Sequence, residues 1–527
     1  MTRRAATLAV VLLAVLPRLV EAAPVKTDKG EVEGTTSASG VRSWKGIPYA
    51  APPVGVRRWQ PPQPAAAWKG VRKADAFGAR CPQVHVWDDI VFRDKMSENC
   101  LYLNVWAPAD ARMLPVMVWI HGGGFVAGSG SEPRQDGERM AGKGVVVVNL
   151  NYRMGVFGFF AHPDLTRESP RHASGNYGFL DQVAALAWVQ ANIAAFGGDP
   201  ANVTVFGESA GSYAVSALMA SPAARGLFQR AIGQSGAFFP SDPALAPRPL
   251  AASEQAGRQL ENTLQARGLV GLRAMSVGDL LKATTGEGGQ RFGPNLDGIF
   301  LTEPVEATFQ AGRQNQVALL AGWNEDEIRA AVTLAPVKPT PQGFAEAARK
   351  RFGAHADAIL AGYPAGSGAE ALESAAALTN DLFISYSTWK WLELQAQRAT
   401  GPLYGYSFDR DIPVPKDHKV NGVPATSRDI GARHAGEIEY VFGALDSLPK
   451  VPWEESDRRL SDLMMTYWTN FARTGDPNGP GLPIWPRYTG ADGTPVLHLD
   501  ETSAARPDER RPRYRALDAY TETLRRP

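Results

Sequence analysis

Cysteine is almost absent from the 527-residue sequence: only Cys81 and Cys100 occur. That excludes a small scaffold stapled by several bridges, and without a C-x-x-C pair neither a zinc ribbon nor a thioredoxin-like redox motif is written in the chain. The eight histidines show neither H-E-x-x-H nor any other close ligand pairing, so no metal is expected. Charge of one sign is also missing. Lys+Arg 55 against Asp+Glu 54 leaves +1, which supplies neither the basic footprint of a nucleic-acid binder nor an acidic tail. There is no internal repeat, and past the first two dozen residues no stretch approaches 18 uninterrupted apolar residues, so the mature protein is expected to have no membrane span. What is present is 44% hydrophobic and 21% charged, with Gly 53 and Pro 40, a profile that excludes disorder, collagen and coiled coil and favours a small-molecule function.

The opening residues differ from the rest. Arg3 and Arg4 precede a short apolar run, Ala5 to Leu16, broken by Pro17 and Arg18 and followed by Ala22 and Ala23. This is the layout of a secretory signal. The expectation is a signal peptide over residues 1–22, a mature chain starting near Ala23, and a secreted or periplasmic location. Export gives the cysteine pair a meaning, because two cysteines in an oxidising compartment are expected to bridge. The bridge would close a loop of about 20 residues and contribute roughly 3 kcal/mol by chain-entropy reasoning.

Strand and helix signals alternate along the chain. The apolar runs Leu114 to Ile120 and Val145 to Val148 read as buried strands. Leu180 to Phe196 carries apolar residues at helical spacing and stops at Gly197-Gly198-Asp199-Pro200, and a third strand, Val203 to Phe206, follows. Later strand candidates are Val317 to Ala321, Leu403 to Phe408 and Pro495 to Leu499. The alternation argues for an α/β fold with a large, mostly parallel central sheet flanked by helices. The wide spread of its strands favours a single domain over residues 23–527 with helical insertions. Pro48 to Pro64 and Asp476 to Pro486 read as surface loops. Residues 240–316 and 334–400 read as helix-rich, either lids over a site or solvated cover for the sheet edge, with a mobile loop at Gly286 to Gly289.

The densest chemical signal is Val205-Phe206-Gly207-Glu208-Ser209-Ala210-Gly211, where a short strand enters G-x-S-x-G and then a helix-compatible stretch, Ala210 to Ala220. That context is a nucleophile elbow, in which glycines permit a sharp turn and Ser209 is held strained at a helix N-terminus. An attacked carbonyl becomes an oxyanion and needs preorganised N–H donors. His121-Gly122-Gly123-Gly124, directly after a strand, offers bare backbone, and Gly123, Gly124 and the Ala210 amide are the expected donors. The base should lie far downstream, since the chain order of this architecture is nucleophile, acid, histidine. His434, in the turn-like Gly431 to Gly436 before the apolar run Ile438 to Phe442, fits; His418 and His498 are plainer alternatives. The acid should follow the strand at Val317 to Ala321, and Glu325, Asp326 and Glu327 all stand there.

These residues resemble the type-B carboxylesterases of the α/β-hydrolase superfamily, the family of para-nitrobenzyl esterases and cholinesterases. The resemblance runs from Gly46 to Ala50 through Ser97 to Asn104, His121 to Phe125, Asn151 to Arg153 and Gly175 to Gly178. It continues through Phe196 to Pro200, the elbow, His434, Tyr467 to Phe471 and Thr474 to Asn478. It implies an α/β-hydrolase fold, Glu327 as the acid in Gly-x-Asn-x-Asp-Glu, a Cys81–Cys100 bridge, and Glu208 and Ser235 as supporting groups near the histidine and the acid. Two positions depart from the pattern: Ile328 and Ala435 replace glycines that usually follow the acid and the histidine. Trp87, in the loop between the cysteines, is the candidate for the tryptophan that binds choline in cholinesterases, although the short loop does not register with theirs and cholinesterase activity is not implied. The expectation is a serine carboxylester hydrolase acting on a small-molecule ester, with no cofactor. A catalytically dead adhesion protein would lack Ser209, and an amidase would share the same triad; fumonisin-type polycarboxylic esters fall within the substrate range of the resemblance.

Overall fold

The computed structural model describes residues 20–21, 23–87, 90–92, 94–242, 246–285, 289–328, 340–398, 400–415, 417–420 and 423–525. The expected signal segment lies outside this range apart from Val20 and Glu21, as do residues 286–288 of the expected glycine loop.

Twelve strands form the main sheet. In chain order they are β1 (Val20–Glu21), β2 (Thr35–Thr36), β3 (Val41–Pro48), β4 (Tyr102–Pro108), β5 (Leu114–Ile120) and β6 (Val146–Leu150), then β7 (Gly198–Glu208), β8 (Arg230–Gln234), β9 (Ala318–Asn324), β10 (Leu403–Phe408), β11 (Pro495–Leu499) and β12 (Ala504–Pro507). They lie in space as β1-β2-β3-β4-β6-β5-β7-β8-β9-β10-β11-β12. From β6 to β11 every neighbouring pair is parallel, and the outer pairs are antiparallel. This is the large, mostly parallel sheet of an α/β-hydrolase fold.

The central strands read as continuous apolar runs because both faces of the sheet are covered. Successive residues of β5 enter different cores. Val116, Val118 and Ile120 pack in one cluster with Ala214 and Leu218 of one covering helix; Met117 and Trp119 pack in another with Met464, Tyr467 and Trp468 of a helix on the opposite face. The first face also holds helix α1 (Tyr177–Asn192), and α2 (Ala210–Ala220) and α3 (Tyr386–Arg398) lie with it; α4 (Glu455–Thr474) covers the other, and α5 (Arg511–Arg525) docks against α3.

Several boundaries differ from the sequence reading. Helix α1 starts at Tyr177, and its last turn, Ile193–Phe196, tightens to a 3-10 helix. Gly197 alone, at φ +88, makes the expected turn; Gly198 already belongs to β7, which carries an irregular register between Gly198 and Val203. Among the described residues, Tyr177–Phe196 is the one helix apolar and long enough to cross a membrane. It is a core element instead. Phe179, Leu186, Val189 and Ile193 are buried in the sheet cluster, and its buried Asp181 pairs with Arg153 at 2.7 Å. The two cysteines are joined, Cys81 to Cys100, with Cα atoms 5.0 Å apart.

Candidate active site

The C-terminal ends of β5, β7 and β9 converge, the place where parallel α/β sheets expose backbone and loops to a ligand. At the end of β7, Ser209 has φ +53 and ψ −123, a strained conformation of the kind that costs about 1–3 kcal/mol and persists only when its surroundings impose it. Its amide donates to the Gln234 carbonyl at 2.9 Å, and its own carbonyl accepts from Tyr213 N at 2.9 Å. The glycines of the motif act differently from the expectation. Positive φ falls on the serine itself, whereas Gly207 and Gly211 are needed for close approach: a Cβ on Gly211 would sit 2.0 Å from the Ile120 carbonyl oxygen, and one on Gly207 2.6 Å from the same atom.

Strand β5 ends in the turn His121–Gly124, pressed against the elbow. A Cβ on Gly122 would meet Glu208 Oε2 at 2.6 Å, and one on Gly123, at φ +95, would meet the Ala127 carbonyl oxygen at 2.1 Å. Three carbonyls of this turn are engaged, that of His121 by Tyr152 Oη, that of Gly122 by His121 Nδ1 and that of Gly123 by the amides of Val126 and Ala127. No protein acceptor takes the Gly123 or Gly124 amide among the described residues. His121 is a framework residue: its Nδ1 lies 2.9 Å from the Gly122 carbonyl, its ring stacks on Tyr152, and burial lowers its pKa to about 4, so it stays neutral. Trp87, half-exposed, reaches this turn, with its ring edge 3.3 Å from where a Gly124 Cβ would be.

His434 arrives from 225 residues downstream. Its Nε2 is 2.9 Å from Ser209 Oγ, and its Nδ1 is 2.6 Å from Glu327 Oε2. The three acids after β9 separate by direction. Strand β9 continues to Asn324, so the turn begins only there. Glu325 pairs with Arg510. Asp326 accepts the Ala432 amide at 3.3 Å and pairs with Arg428, which fixes the loop carrying the histidine. Glu327 turns inward, and its Oε1 accepts the Asn324 amide at 2.9 Å. His418 lies in an exposed turn, and His498 bonds Asp409 at 2.6 Å.

The charge around His434 is anionic. Glu208 Oε1 lies 3.3 Å from His434 Nε2. Glu437, absent from the sequence reading, is fully buried; it accepts from Asn324 Nδ2 at 2.6 Å and from Gln234 Nε2 at 3.1 Å. Its signal was a carboxylate three residues after His434 at the head of an apolar run, where a charge is costly unless hydrogen-bonded. Burial by itself depresses the His434 pKa, but Glu208, the hydrogen bond to Glu327 and then Glu437 outweigh it and carry it up to about 9. Burial raises Glu208 to about 8, against the lowering effect of His434. Ser235 stands at φ +56 with its amide on the Gly322 carbonyl; among the described residues its buried Oγ has no hydrogen-bond partner, whereas Glu208 comes within 3.3 Å of the histidine. The two departures from the glycine pattern are accommodated: Ile328 gives its amide to Asn380 at 2.7 Å, and Ala435 takes φ +62. No group of three or more metal-ligating side chains occurs among the described residues.

A family model described as the carboxylesterase family matches residues 21–516. The fumonisin B1 esterase of Sphingopyxis macrogoltabida is 38% identical over 501 residues, 90% of this chain and 85% of that protein. The para-nitrobenzyl esterase of Bacillus subtilis is 38% identical over 485 residues, 88% of this chain and 92% of that protein. A solved para-nitrobenzyl esterase superimposes with a TM-score of 0.79 at 35% identity, covering 94% of this chain and 99% of that one.

Proposed function

The chain belongs to the carboxylesterase family and is a carboxylic ester hydrolase, and from that premise we propose that it works through an acyl-enzyme on Ser209, with His434 as general base and acid and Glu327 as the orienting carboxylate. The observation that carries this reading is the unbroken line from Ser209 Oγ through the His434 ring to Glu327, 2.9 Å and 2.6 Å. Neutral His434 takes the serine proton as Oγ attacks the ester carbonyl. The carbonyl oxygen becomes an oxyanion held by the amides of Gly123, Gly124 and Ala210. Collapse expels the alkoxide, which receives the proton back from Nε2, and water then attacks the acyl-enzyme through the same base. Glu327 keeps the Nδ1–H oriented and stabilises the imidazolium. No cofactor takes part in this sequence of steps.

The same reading treats residues 1–22 as a secretory signal, places the mature protein outside the cytoplasm, and takes residues 23–527 as one domain. The Cys81–Cys100 bridge fits that compartment. The substrate is a small-molecule carboxylic ester; the relatives named above include proteins named for fumonisin B1 and para-nitrobenzyl esters.

The direct test is Ser209→Ala assayed on an activated short-chain ester and on the matched amide. Turnover of the ester is expected to fall by about 10⁴–10⁶ with the thermal transition nearly unchanged. Residual turnover within tenfold of the parent would remove Ser209 as nucleophile, and preference for the amide would make the protein an amidase.

A further inference from the structure

One large apolar side chain at the site belongs to neither the elbow nor the glycine turn. Phe383 is 37% exposed, whereas Phe125, Phe179 and Phe238 are buried. Its ring meets the His434 ring edge to face, with centroids 5.4 Å apart and planes at 74°. It stands on a π-helical turn, Asp381–Ser385, inserted between helix Gly368–Asn380 and α3, and turns of this kind, which wind one residue wider than an α-helix, recur at functional sites. The platform is tied to its surroundings by hydrogen bonds and an ion pair. Asn380 grips both ends of the acid loop, accepting from Ile328 N at 2.7 Å and donating to the Glu325 carbonyl at 3.3 Å. Buried Asp381 holds Tyr363 Oη at 2.6 Å and pairs with Arg513 at 2.8 Å. A half-open phenylalanine held this firmly on the histidine is not needed to fill a core.

The chemistry says which part of a substrate it meets. His434 Nε2 must return a proton to the departing alkoxide, so the alcohol carbons lie within contact distance of the imidazole. The carbonyl oxygen lies instead towards Gly123 and Gly124, the turn against which Trp87 rests. We propose that Phe383 is a specificity-determining residue that walls the alcohol side of the site and limits the bulk of the alcohol the enzyme accepts. The proposal rests on the reading of Ser209, His434 and Glu327 given above.

The test compares kcat/KM of the full chain and of Phe383→Ala and Phe383→Leu on two series of esters. One series varies the alcohol at fixed acetate (methyl, butyl, benzyl and naphthylmethyl), and the other varies the acyl chain at fixed para-nitrophenol (acetate, butyrate and octanoate). Phe383→Ala is expected to raise the naphthylmethyl-to-methyl ratio about tenfold, the discrimination typical of apolar pockets, and Phe383→Leu to raise it by a smaller factor. The octanoate-to-acetate ratio should stay within about twofold, and the acid limb of the pH profile should not move. A uniform loss across both series, a change confined to the acyl series, unchanged ratios, or a displaced acid limb with unchanged ratios would each overturn it, the last by making Phe383 a mere support for His434. Should Phe383→Ala lose its thermal transition, Phe383→Leu decides. Turnover surviving Ser209→Ala would sink the triad reading and this proposal together, whereas a null result in the two series with Ser209-dependent turnover intact sinks this proposal alone.

Discussion

Ser209 and His434 face each other across 2.9 Å, yet the two sides of that contact are built from different materials. The serine side is mostly backbone: a strained residue, an amide on a carbonyl across the sheet, and Gly123, Gly207 and Gly211 packed so closely that a Cβ on any of them would strike the main chain. The histidine side is made of side chains. Glu327 and Glu208 reach the ring, Asp326 and Arg428 tie its loop, and Asn324, Gln234 and Glu437 form a buried polar base beneath. Backbone geometry has no pKa. The serine side should therefore fail by steric substitution and the histidine side by changes of charge or pH.

The largest effect expected on the histidine side comes from Glu327→Gln. It leaves shape intact but removes the carboxylate on Nδ1, and kcat should fall by about 10³–10⁴, by analogy with other orienting carboxylates. Asp326→Asn acts only through the loop and should lose far less, and Glu325→Gln, whose partner is Arg510, less again. Steady-state kinetics on one activated ester rank the three; Asp326→Asn as the most damaging, at unchanged stability, would reassign the acid.

On the serine side, Gly123→Ala adds one methyl group that must displace the Ala127 carbonyl oxygen and sit at φ +95. A loss of about 10²–10³ in kcat is expected, the usual cost of disturbing one oxyanion donor. Its pH profile should match the parent's in shape, because nothing titratable has changed. A shifted profile would break the division between the two sides.

Titration sharpens the same contrast. His434 has its pKa carried from the ordinary 6.5 up to about 9 by Glu208, Glu327 and Glu437 against burial, so kcat/KM should climb with pH well above 6.5 as the imidazole becomes neutral. Stability should move oppositely. The contribution from protonated His434 is fully present below about 6.5 and is lost as pH rises through about 9, and the buried Glu208, raised to about 8, adds to the same decline. Glu208→Gln should lower the acid-limb midpoint by about one unit. A midpoint unmoved, or moved upward, would show that Glu208 does not act on the ring. Thermal scans across the same pH range check the stability arm.

The smallest effect belongs to Ala435, which holds φ +62 where the family usually has glycine. Ala435→Gly should raise stability by about 1 kcal/mol, the typical cost of a left-handed alanine, with activity close to the parent's. A destabilised variant would show that the methyl group is needed for packing.

The unequal construction also explains what could be read in advance. The serine side lies in two short contiguous motifs bounded by apolar strands, so the turn at Ser209, the turn at Gly123 and the end of β5 at Ile120 could be placed from local pattern. The acid could not be chosen locally. Strand β9 runs three residues beyond its expected end at Ala321, and that extension decides which of Glu325, Asp326 and Glu327 turns inward. Glu437 and Phe383 were invisible for the same reason: one sits under a loop and the other on a π turn, and neither is signalled by periodicity. The short edge strands β1 and β2 have too few residues to show any alternation.

Helix α5 reaches back over the molecule. Arg513 pairs with Asp381 beneath the π turn, Lys390 pairs with Asp518 at 2.7 Å, and just ahead of the helix Arg510 holds Glu325. The elbow and the glycine turn are made more than 280 residues earlier in the chain. During synthesis Ser209 thus emerges 225 residues before His434, and His434 before the helix that braces its surroundings. Contacts of such wide sequence separation close long loops and wait for the intervening chain to be made. On the reading proposed above, a chain still lacking Glu327 and His434 carries Ser209 without its base, and one lacking Arg510 and α5 leaves Glu325 and Asp381 without the arginines they pair with in the folded molecule.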